Sequence, residues 1–264
     1  MQETMQALFL PLFLFTAVCA ETAELPPKIV LTPIAAYPHD ENAYTQGLFF
    51  DGGYLYESTG QYGQSTLRKV DPKTGDVLIH VNIPNRYFAE GLALADGKLF
   101  QLTWRENACF VFDKNTLKKT DEHKYNGEGW GLTFDGEHLI MSDGSAALKF
   151  LDPKTFKQKH KIGVSGKPPG AKKDVPVLNL NELEFICGEI WANVWQTTKI
   201  VRIDPKNGKV IAWIEMAAFV PEKHRTDTQN CVLNGIAFDA GTNHVYITGK
   251  NWNVMYVLRL TTDK

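Results

Sequence analysis

Five copies of one pattern run along the chain and constrain its fold more than any other feature. Each copy has a polar or aromatic residue, then Gly-Leu or a close variant, an apolar run, a Gly-containing turn and a second apolar run. The copies are TQGLFFDGGYLYESTG, AEGLALADGKLFQLTW, GWGLTFDGEHLIMSDG, LNELEFICGEIWANVW and LNGIAFDAGTNHVYITGK. The first-named position is held by Gln46, Glu90, Trp130, Asn181 and Asn234, at intervals of 44, 40, 51 and 53 residues. Short strands repeated at this period predict an all-β fold, a five-bladed β-propeller.

The last copy lacks an outer strand, and a strand near the N-terminus lacks a blade. Four copies continue with a third strand and a turn led by Asp71, Asp113, Asp152 or Asp204. The sequence Asp-Pro-Lys-Thr-Gly suits a type I turn followed by a left-handed glycine. After the fifth copy only VMYVLRL and TTDK remain, whereas KIVLTPIAAY stands alone at residues 28–37. We therefore expect this N-terminal strand to complete the last blade and close the ring, which removes exposed strand edges.

The first twenty residues predict a signal peptide. Residues 7–20, ALFLPLFLFTAVCA, are apolar, end in small residues and precede the polar ETAELPP, so we expect cleavage after Ala20 and export to the periplasm or the exterior. The stretch is short for a membrane span. Because MQETMQ has no Lys or Arg and carries Glu3, an uncleaved anchor stays an alternative, and Cys19 leaves a lipid anchor open. Residues 21–264 then form a single propeller domain.

Charge and cysteine content narrow the remaining choices. A formal net charge of -2 indicates no nucleic-acid partner, and we expect a monomer. Outside the leader stand Cys109, Cys187 and Cys231; they allow at most one disulfide, or they are three small buried residues. The long repeat intervals hold two insertions. Residues 163–177, GVSGKPPGAKKDVPV, predict a solvated loop, with a substrate-gripping role as the alternative, and the apolar start of residues 215–230 predicts a short helix.

Propeller geometry brings the repeated polar positions together. The inner strands begin at one rim of the central channel, so the five marker residues should form a ring there. The second strand of each blade is antiparallel and returns to that rim, where a second ring is expected. Counting 14 residues on from each marker, or 16 in the last blade, gives Gly60, Trp104, Gly144, Trp195 and Lys250.

Each of these residues also has a purely structural explanation. A single tryptophan in a β-protein usually belongs to the core, an Asn or Gln at a strand start is common in turns, and Glu90 could be a solvated rim charge. Equivalent repeat positions should nevertheless agree where structure alone decides. Here they carry five different polar or aromatic groups, which favours a ligand site.

Familiar catalytic motifs are missing from the sequence. The seven histidines show no metal-ligand spacing, the cysteines form no paired motif, and Gly-x-Ser-x-Gly does not occur. GEGWGLTFDG resembles a nucleotide-binding loop only loosely and precedes no predicted helix. We therefore predict no metal and no cofactor. A site with one carboxylate and no protein nucleophile suits a reaction whose nucleophile belongs to the substrate.

Eight short motifs carry a resemblance to a known family. YTQGL, YESTGQYGQS, FAEGL, GWGL, LNELEF, EIWANVWQT, LNGIAF and TGK, in this order, resemble the glutamine cyclotransferase family of plants and bacteria over roughly residues 37–260. The resemblance implies a five-bladed propeller that converts N-terminal glutamine into pyroglutamate with loss of ammonia. The expected partners are peptides or proteins with a free N-terminal glutamine. The animal glutaminyl cyclases, zinc enzymes of another fold, are not what the chain resembles.

The resemblance also implies roles for individual residues. Glu90 matches the family's general acid/base. The substrate-binding residues it implies are Gln46, Phe88, Trp104, Trp130, Asn181, Trp195 and Lys250. Supporting positions are Tyr44, where the family commonly has Phe, together with Glu57 and Asn234. The indoles would clamp the substrate's methylenes and raise the pKa of Glu90, whereas Lys250 would lower it. Gln46, Asn181 and Lys250 could donate to the carboxamide oxygen.

Two other classes of function stay open at this point. A non-catalytic exported propeller could bind a peptide or glycan through its tryptophans, although Glu90 and Lys250 fit that role less well. A propeller lyase or hydrolase is the other class. Such enzymes commonly recruit a metal through histidines and carboxylates, and the predicted rim has no histidine.

Overall fold

The computed structural model describes residues 29–227 and 230–262, and its regular elements are β-strands and two short 3-10 turns. Five four-stranded antiparallel sheets account for nearly all the strands. Their inner strands contact one another in cyclic order around a central axis. The predicted all-β, five-bladed β-propeller is therefore confirmed. The leader and its Cys19 lie outside the described residues.

Each blade runs from an inner strand at the axis to an outer strand at the perimeter. Blade 1 comprises β2 (Thr45–Asp51), β3 (Tyr54–Thr59), β4 (Thr66–Val70) and β5 (Val77–Asn82). Blade 2 comprises β6 (Ala89–Ala95), β7 (Lys98–Thr103), β8 (Ala108–Asp113) and β9 (Lys119–Lys124). Blade 3 comprises β10 (Leu132–Phe134), β11 (Leu139–Met141), β12 (Ala147–Leu151) and β13 (Gln158–Gly163). Blade 4 comprises β16 (Leu180–Ile186), β17 (Glu189–Val194), β18 (Lys199–Ile203) and β19 (Val210–Glu215), and blade 5 has β20 (Leu233–Asp239), β21 (His244–Gly249) and β22 (Val254–Thr262).

The N-terminal strand closes the ring, as predicted. Strand β1 (Ile29–Pro38) runs antiparallel along β22, from Ile29 opposite Thr262 to Pro38 opposite Val254. It supplies the outer strand that blade 5 lacks, so the first and last parts of the chain form one sheet. The edge of β22 is thereby paired along its whole length.

The core lies between neighbouring blades. The middle strands are covered on both faces by the neighbouring blades, so most of their residues are buried, as in β3, β7, β8 and β17. Between blades 1 and 2, for example, Phe49 stacks on Tyr56 with ring centroids 5.0 Å apart, and both pack near Leu92 and Phe110. Burying one such large side chain contributes about 2 kcal/mol, so the interblade layers hold the ring together.

The Asp-led turns have the expected geometry. The Asp71 carboxylate accepts hydrogen bonds from the backbone N–H groups of Lys73 at 2.8 Å and Thr74 at 3.1 Å, and Gly75 is left-handed with φ 76°. In blades 2 and 3 the left-handed position is held by Leu117 and Phe156 instead, with φ 52° and 57°. Both side chains are buried, and this burial offsets the strain of that conformation.

The two insertions differ in detail from their predictions. Part of the expected solvated loop at 163–177 is a small hairpin of β14 (Ser165–Gly166) and β15 (Val175–Pro176). The expected helix is only a pair of 3-10 turns, Ala217–Phe219 and Glu222–His224. Pro221 stands between them and leaves too few residues to nucleate an α-helix.

The cysteines are not the three small buried residues that one alternative expected. Cys109, Cys187 and Cys231 are all free thiols, so no disulfide joins them. Only Cys109 is buried; Cys187 is exposed in the turn between β16 and β17, and Cys231 is half-buried just before β20. Among residues 29–227 and 230–262, no helix is long and apolar enough to cross a membrane.

Candidate active site

Each inner strand but one begins with an irregularity that turns the marker side chain toward the axis. The register between the first and second strands shifts near the start of β2, β6, β16 and β20. Such bulges re-aim a side chain. The glycine that follows most markers has a separate cause: a Cβ on Gly47 would strike the backbone of Leu92, and one on Gly131 would strike that of Asn181. The inner strands therefore approach closely only because these positions lack side chains.

A cavity of about 190 Å³ opens at the rim where these strands begin. The residues around it are Tyr44, Gln46, Phe88, Glu90, Trp104, Trp130, Asn181, Trp195 and Lys250. The structure thus brings together nine of the sequence-predicted site residues in one pocket. Gln46, Glu90, Asn181 and Lys250 are buried, whereas the aromatic residues are partly exposed. The polar groups therefore lie at the base and the rings form the walls.

A chain of amides holds the predicted catalytic glutamate. Gln46 Nε2 donates to Glu90 Oε1 at 3.0 Å, and Asn234 Nδ2 donates to Gln46 Oε1 at 3.4 Å and to the Thr45 carbonyl oxygen at 2.9 Å. Asn234 therefore lies behind the pocket and orients Gln46. The sequence predicted that Gln46 would donate a hydrogen bond to the substrate's carboxamide oxygen, whereas in the structure its amide donates to Glu90.

Burial controls the charge of both ionisable groups at the base. Loss of solvation raises the pKa of Glu90 well above its ordinary value, and the negative charges of Glu128 and Glu106 raise it further. The positive charge of Lys250 acts in the opposite sense but does not prevail. Burial likewise lowers the pKa of Lys250 to about 8, against the opposing effect of Glu90. The sequence left the balance between indoles and Lys250 open; desolvation decides it.

Lys250 is held by an aromatic ring. Its Nζ lies 4.6 Å from the centroid of the Tyr44 ring, a cation–π contact. Among the described residues it forms no ion pair with a carboxylate, and its interaction with Glu90 acts at a distance. An ammonium held in this way has N–H groups left for a ligand.

The aromatic walls depend on two glycines. Trp130 and Trp195 meet edge to face with ring centroids 5.4 Å apart, and Phe88 meets Trp104 at 5.6 Å. A Cβ on Gly60 would strike the Phe88 ring, and one on Gly144 would strike Trp130. The two glycines of the second predicted ring thus make room for neighbouring rings.

Two polar groups in the pocket have unused hydrogen-bonding capacity. Asn181 Oδ1 and Trp195 Nε1 are buried, and neither has a partner among the described residues. Leaving such groups unpaired costs about 1 to 3 kcal/mol each. A ligand that offers a donor to one and an acceptor to the other would recover this cost.

Sequence reasoning missed Glu128, which joins two of the indoles. Its Oε2 accepts hydrogen bonds from Trp104 Nε1 at 2.8 Å and Trp130 Nε1 at 3.0 Å, while its Oε1 accepts from Arg105 Nε at 2.9 Å. The Arg105 guanidinium also lies 3.7 Å from the centroid of the Trp104 ring. Glu128 stands two residues before Trp130 in GEGWGL, so proximity to a marker was the available signal.

Two further acids lie along the axis, away from the pocket: Glu182 is buried and Glu184 is half-buried. In blade 4 Glu182 replaces the usual glycine, and its carboxylate accepts backbone N–H groups of Leu48 at 3.3 Å and Ile236 at 2.9 Å, from blades 1 and 5. Glu184 accepts from Phe238 N–H at 3.0 Å, and burial raises its pKa to about 8. Across residues 29–227 and 230–262, no group of three or more His, Cys, Asp or Glu side chains is arranged to hold a metal.

Glu57 does not line the pocket but stabilises the strand beside it. Its Oε1 accepts from Thr45 Oγ1 at 2.8 Å and lies 3.0 Å from His39 Nε2, and its Oε2 lies 3.9 Å from the Arg68 guanidinium. Burial alone would raise the pKa of Glu57, but His39 and Arg68 together lower it. The buried charge is therefore paired, and it holds the residue next to Gln46.

Comparisons with known proteins agree on one family. A family model described as glutamine cyclotransferase matches residues 7–260. The chain is 42% identical over 235 residues to a glutaminyl-peptide cyclotransferase of Arabidopsis thaliana, an alignment that covers 86% of this chain and 70% of the relative. Its fold is similar to the crystal structure of a glutaminyl cyclase of Myxococcus xanthus, with a TM-score of 0.79 and 35% identity, covering 90% of this chain and all of that one.

Proposed function

The chain belongs to the glutamine cyclotransferase family, and we propose that its rim pocket converts the N-terminal glutamine of peptides into pyroglutamate with release of ammonia. The observation that carries the proposal is the buried Glu90, hydrogen-bonded to Gln46 at the base of a pocket walled by aromatic rings. This arrangement suits a substrate that brings its own nucleophile, the α-amine.

The first task of the pocket is to hold the substrate in a ring-forming conformer. Trp104, Trp130 and Trp195 enclose the two methylenes of the glutamine side chain and exclude water. Holding the amine next to the carboxamide carbon restricts a flexible side chain to conformations from which attack can occur. In intramolecular reactions such orientation can lower the activation free energy by several kcal/mol, on the order of 7 or more.

Glu90 then moves one proton. The α-nitrogen attacks the γ-carboxamide carbon, Glu90 takes a proton from that nitrogen, and the same carboxyl returns it to the departing amide nitrogen, which leaves as ammonia. One carboxyl suffices because the attacking nitrogen, which enters the five-membered ring, and the departing nitrogen, which stays outside it, are bonded to the same tetrahedral carbon. The raised pKa of Glu90 brings it nearer the range in which a group can both accept and donate a proton.

Negative charge develops on the carboxamide oxygen during the attack. The Lys250 ammonium and Trp195 Nε1 have N–H donors free for this oxygen, and the Asn181 amide is available for the leaving nitrogen. Donors placed in a dry site stabilise developing charge without reorganising. Gln46 acts differently, since it keeps Glu90 in place.

The proposal is tested by measuring ammonia release from glutaminyl-glycine. The wild-type protein should release ammonia, and the α-acetylated peptide should release none because its nitrogen cannot attack. Absence of ammonia with the free dipeptide would contradict the proposed reaction and favour a binding function for the pocket.

Glu90→Gln isolates the role of the carboxyl. The change keeps the shape and removes the proton shuttle, so we expect kcat to fall by about two orders of magnitude or more. The same ammonia assay measures it, with the melting transition as a check of folding. Near-normal turnover would remove Glu90 from the catalytic step.

A further inference from the structure

A second cavity lies on the same rim as the candidate active site. Its volume is about 610 Å³, compared with about 190 Å³ for the pocket around Glu90. One wall is the turn between β17 and β18, and the other is the connection from β19 to β20. Both lie at the rim where the inner strands begin, because the strands of a blade alternate in direction and β17 and β19 end there. We call this cavity the distal groove; the residues that line it include Thr197, Thr198, Val220, His224, Val232 and Leu233.

The distal groove begins where the wall of the catalytic pocket ends. Gln196 at its edge directly follows Trp195. On the other side, the Val232 carbonyl oxygen accepts the backbone N–H of Lys250 at 2.9 Å. Trp195 and Lys250 both line the catalytic pocket, so the two cavities share a boundary on each side.

The catalytic pocket is closed at its base by buried polar groups, so the rest of a bound peptide must leave along the rim. We propose that the distal groove binds the residues that follow the N-terminal glutamine and favours an apolar side chain at the second or third position. This inference rests on the proposed function and adds a preference among its substrates.

The chemistry of the groove favours an apolar occupant. Val220, Val232 and Leu233 present aliphatic side chains. The polar groups are mostly engaged: Thr197 Oγ1 donates to the Val194 carbonyl oxygen at 2.6 Å, and Thr198 Oγ1 donates to Glu215. Little unpaired polarity therefore opposes the burial of an apolar side chain there.

The charged groups beside the groove are partly satisfied as well. Lys199 Nζ lies 3.1 Å from a Glu215 carboxylate oxygen, and Arg225 Nε donates to the Val220 carbonyl oxygen at 3.4 Å. Asp227 contributes a carboxylate to the lining. Charges of both signs thus stand at the margin, which gives no reason to expect a strongly acidic or basic ligand.

One polar atom is available for a peptide backbone. His224 Nε2 is buried and has no hydrogen-bond partner among the described residues. Burial and the neighbouring Lys223 lower the pKa of His224, so the ring is neutral near pH 7 and can pair with a peptide N–H or C=O group. An extended peptide advances about 3.3 to 3.6 Å per residue, so its second or third residue reaches a cavity adjoining the pocket.

The test compares short peptide amides that differ at one position. Gln-Leu-Gly and Gln-Gly-Leu amides are compared with Gln-Ser-Gly and Gln-Gly-Ser amides, and with glutaminyl-glycine as the reference. For the wild type we expect kcat/KM to be about tenfold higher for one leucine peptide than for its serine counterpart, the scale on which a pocket discriminates small apolar differences. The gain should appear in KM.

Two variants address the groove directly. Val220→Trp fills the cavity and should remove most of the leucine preference, while Val220→Ser keeps the space, removes two methyl groups and should reduce the preference by about threefold. The readout is the ratio of the leucine to the serine kcat/KM within each variant, which cancels a general effect on the enzyme. Leu178→Trp is the matched control, since Leu178 is exposed on the rim connection between blades 3 and 4 and should leave the ratio as in the wild type.

The outcomes separate this inference from the proposed function. If every peptide released ammonia with equal kcat/KM, or if the leucine preference survived in Val220→Trp, the proposed role of the distal groove would be wrong. The proposed cyclisation would still stand. Loss of the preference in Leu178→Trp as well would also overturn the assignment to this groove. No ammonia from any peptide, glutaminyl-glycine included, would overturn both.

Discussion

Glu128 offers a sharp test of how the aromatic pocket is held together. Its two carboxylate oxygens connect Trp104, Trp130 and Arg105, and it is not among the residues that line the pocket. Glu128→Ala removes all three hydrogen bonds. Glu128→Gln keeps an amide oxygen that can accept from both indoles and removes the negative charge.

The expected magnitude follows from two hydrogen bonds. A hydrogen bond to a charged group contributes about 1.5 kcal/mol at the low end. We take about half of that because the Glu128 side chain is 35% exposed. Losing both indole bonds then costs about 1.5 kcal/mol of substrate positioning, which corresponds to a roughly tenfold rise in KM for Glu128→Ala. Glu128→Gln should raise KM by less.

The charge of Glu128 gives a second, independent readout. It raises the pKa of Glu90, so both variants should lower that pKa. Glu90 must lose its proton to act as a base, and the ascending limb of kcat/KM against pH should therefore move to lower pH in both variants. Glu137→Ala serves as control, since the Glu137 side chain is 84% exposed in a turn of the same blade as Trp130.

Steady-state ammonia release from glutaminyl-glycine at a series of pH values provides both readouts. An unchanged KM in Glu128→Ala would show that packing alone holds the tryptophans. An ascending limb that moves to higher pH, or not at all, would refute the electrostatic part of the reasoning.

Three other perturbations have defined outcomes. Lys250→Met removes the cation that lowers the pKa of Glu90, so the ascending limb of kcat/KM should move to higher pH, opposite to the Glu128 variants; a shift to lower pH would contradict this. Burial raises the pKa of Glu184 from 4.5 to about 8, so the folded state holds a proton that the unfolded state releases, and the free energy of unfolding falls as pH rises through that window. Urea unfolding of Glu184→Gln between pH 5 and 8 should show a smaller fall, and an identical pH dependence would exclude the residue as a source. Deleting residues 28–36 removes most of the strand that pairs with β22 and should abolish the single cooperative melting transition, whereas an unchanged transition would contradict closure by β1.

The fold was predictable because the same pattern of strands and turns occurs five times in the sequence. Each copy carries its own turn glycines and apolar runs, so strand boundaries that are uncertain in one copy can be read from the other four. Closure by β1 followed from counting strands. The insertions were harder, since they occur once: the hairpin of β14 and β15 has no repeat to compare with, and Pro221 reduced an expected helix to 3-10 turns.

The pocket residues were predictable for the same reason, and the residues that the sequence analysis missed have a common cause. Side chains at equivalent strand positions could be placed by the period alone. Glu128 lies in a loop, where no period applies, and its role depends on reaching two indoles at once. Glu182 occupies a repeat position, but one where the other blades carry glycine, so its carboxylate reaches across the axis to two distant blades. Contacts of this kind depend on how the blades meet in the closed ring and on where each side chain points. Neither can be read from the sequence of a single repeat.

The ionisable groups at the pocket base point to why burial is useful to the proposed reaction. Loss of solvation moves the pKa of Glu90 up and that of Lys250 down to about 8. A free α-ammonium titrates at about 7.7 to 8.0, so the substrate's nucleophile lies in the same range as Lys250 and closer to Glu90 than it would be to a solvated carboxyl. Raising the pKa of Glu90 toward that of the amine lowers the free-energy cost of moving a proton between them. On the proposed mechanism, one carboxyl must take a proton from one substrate nitrogen and return it to another, and this task needs matched affinities for the proton more than it needs a strong base.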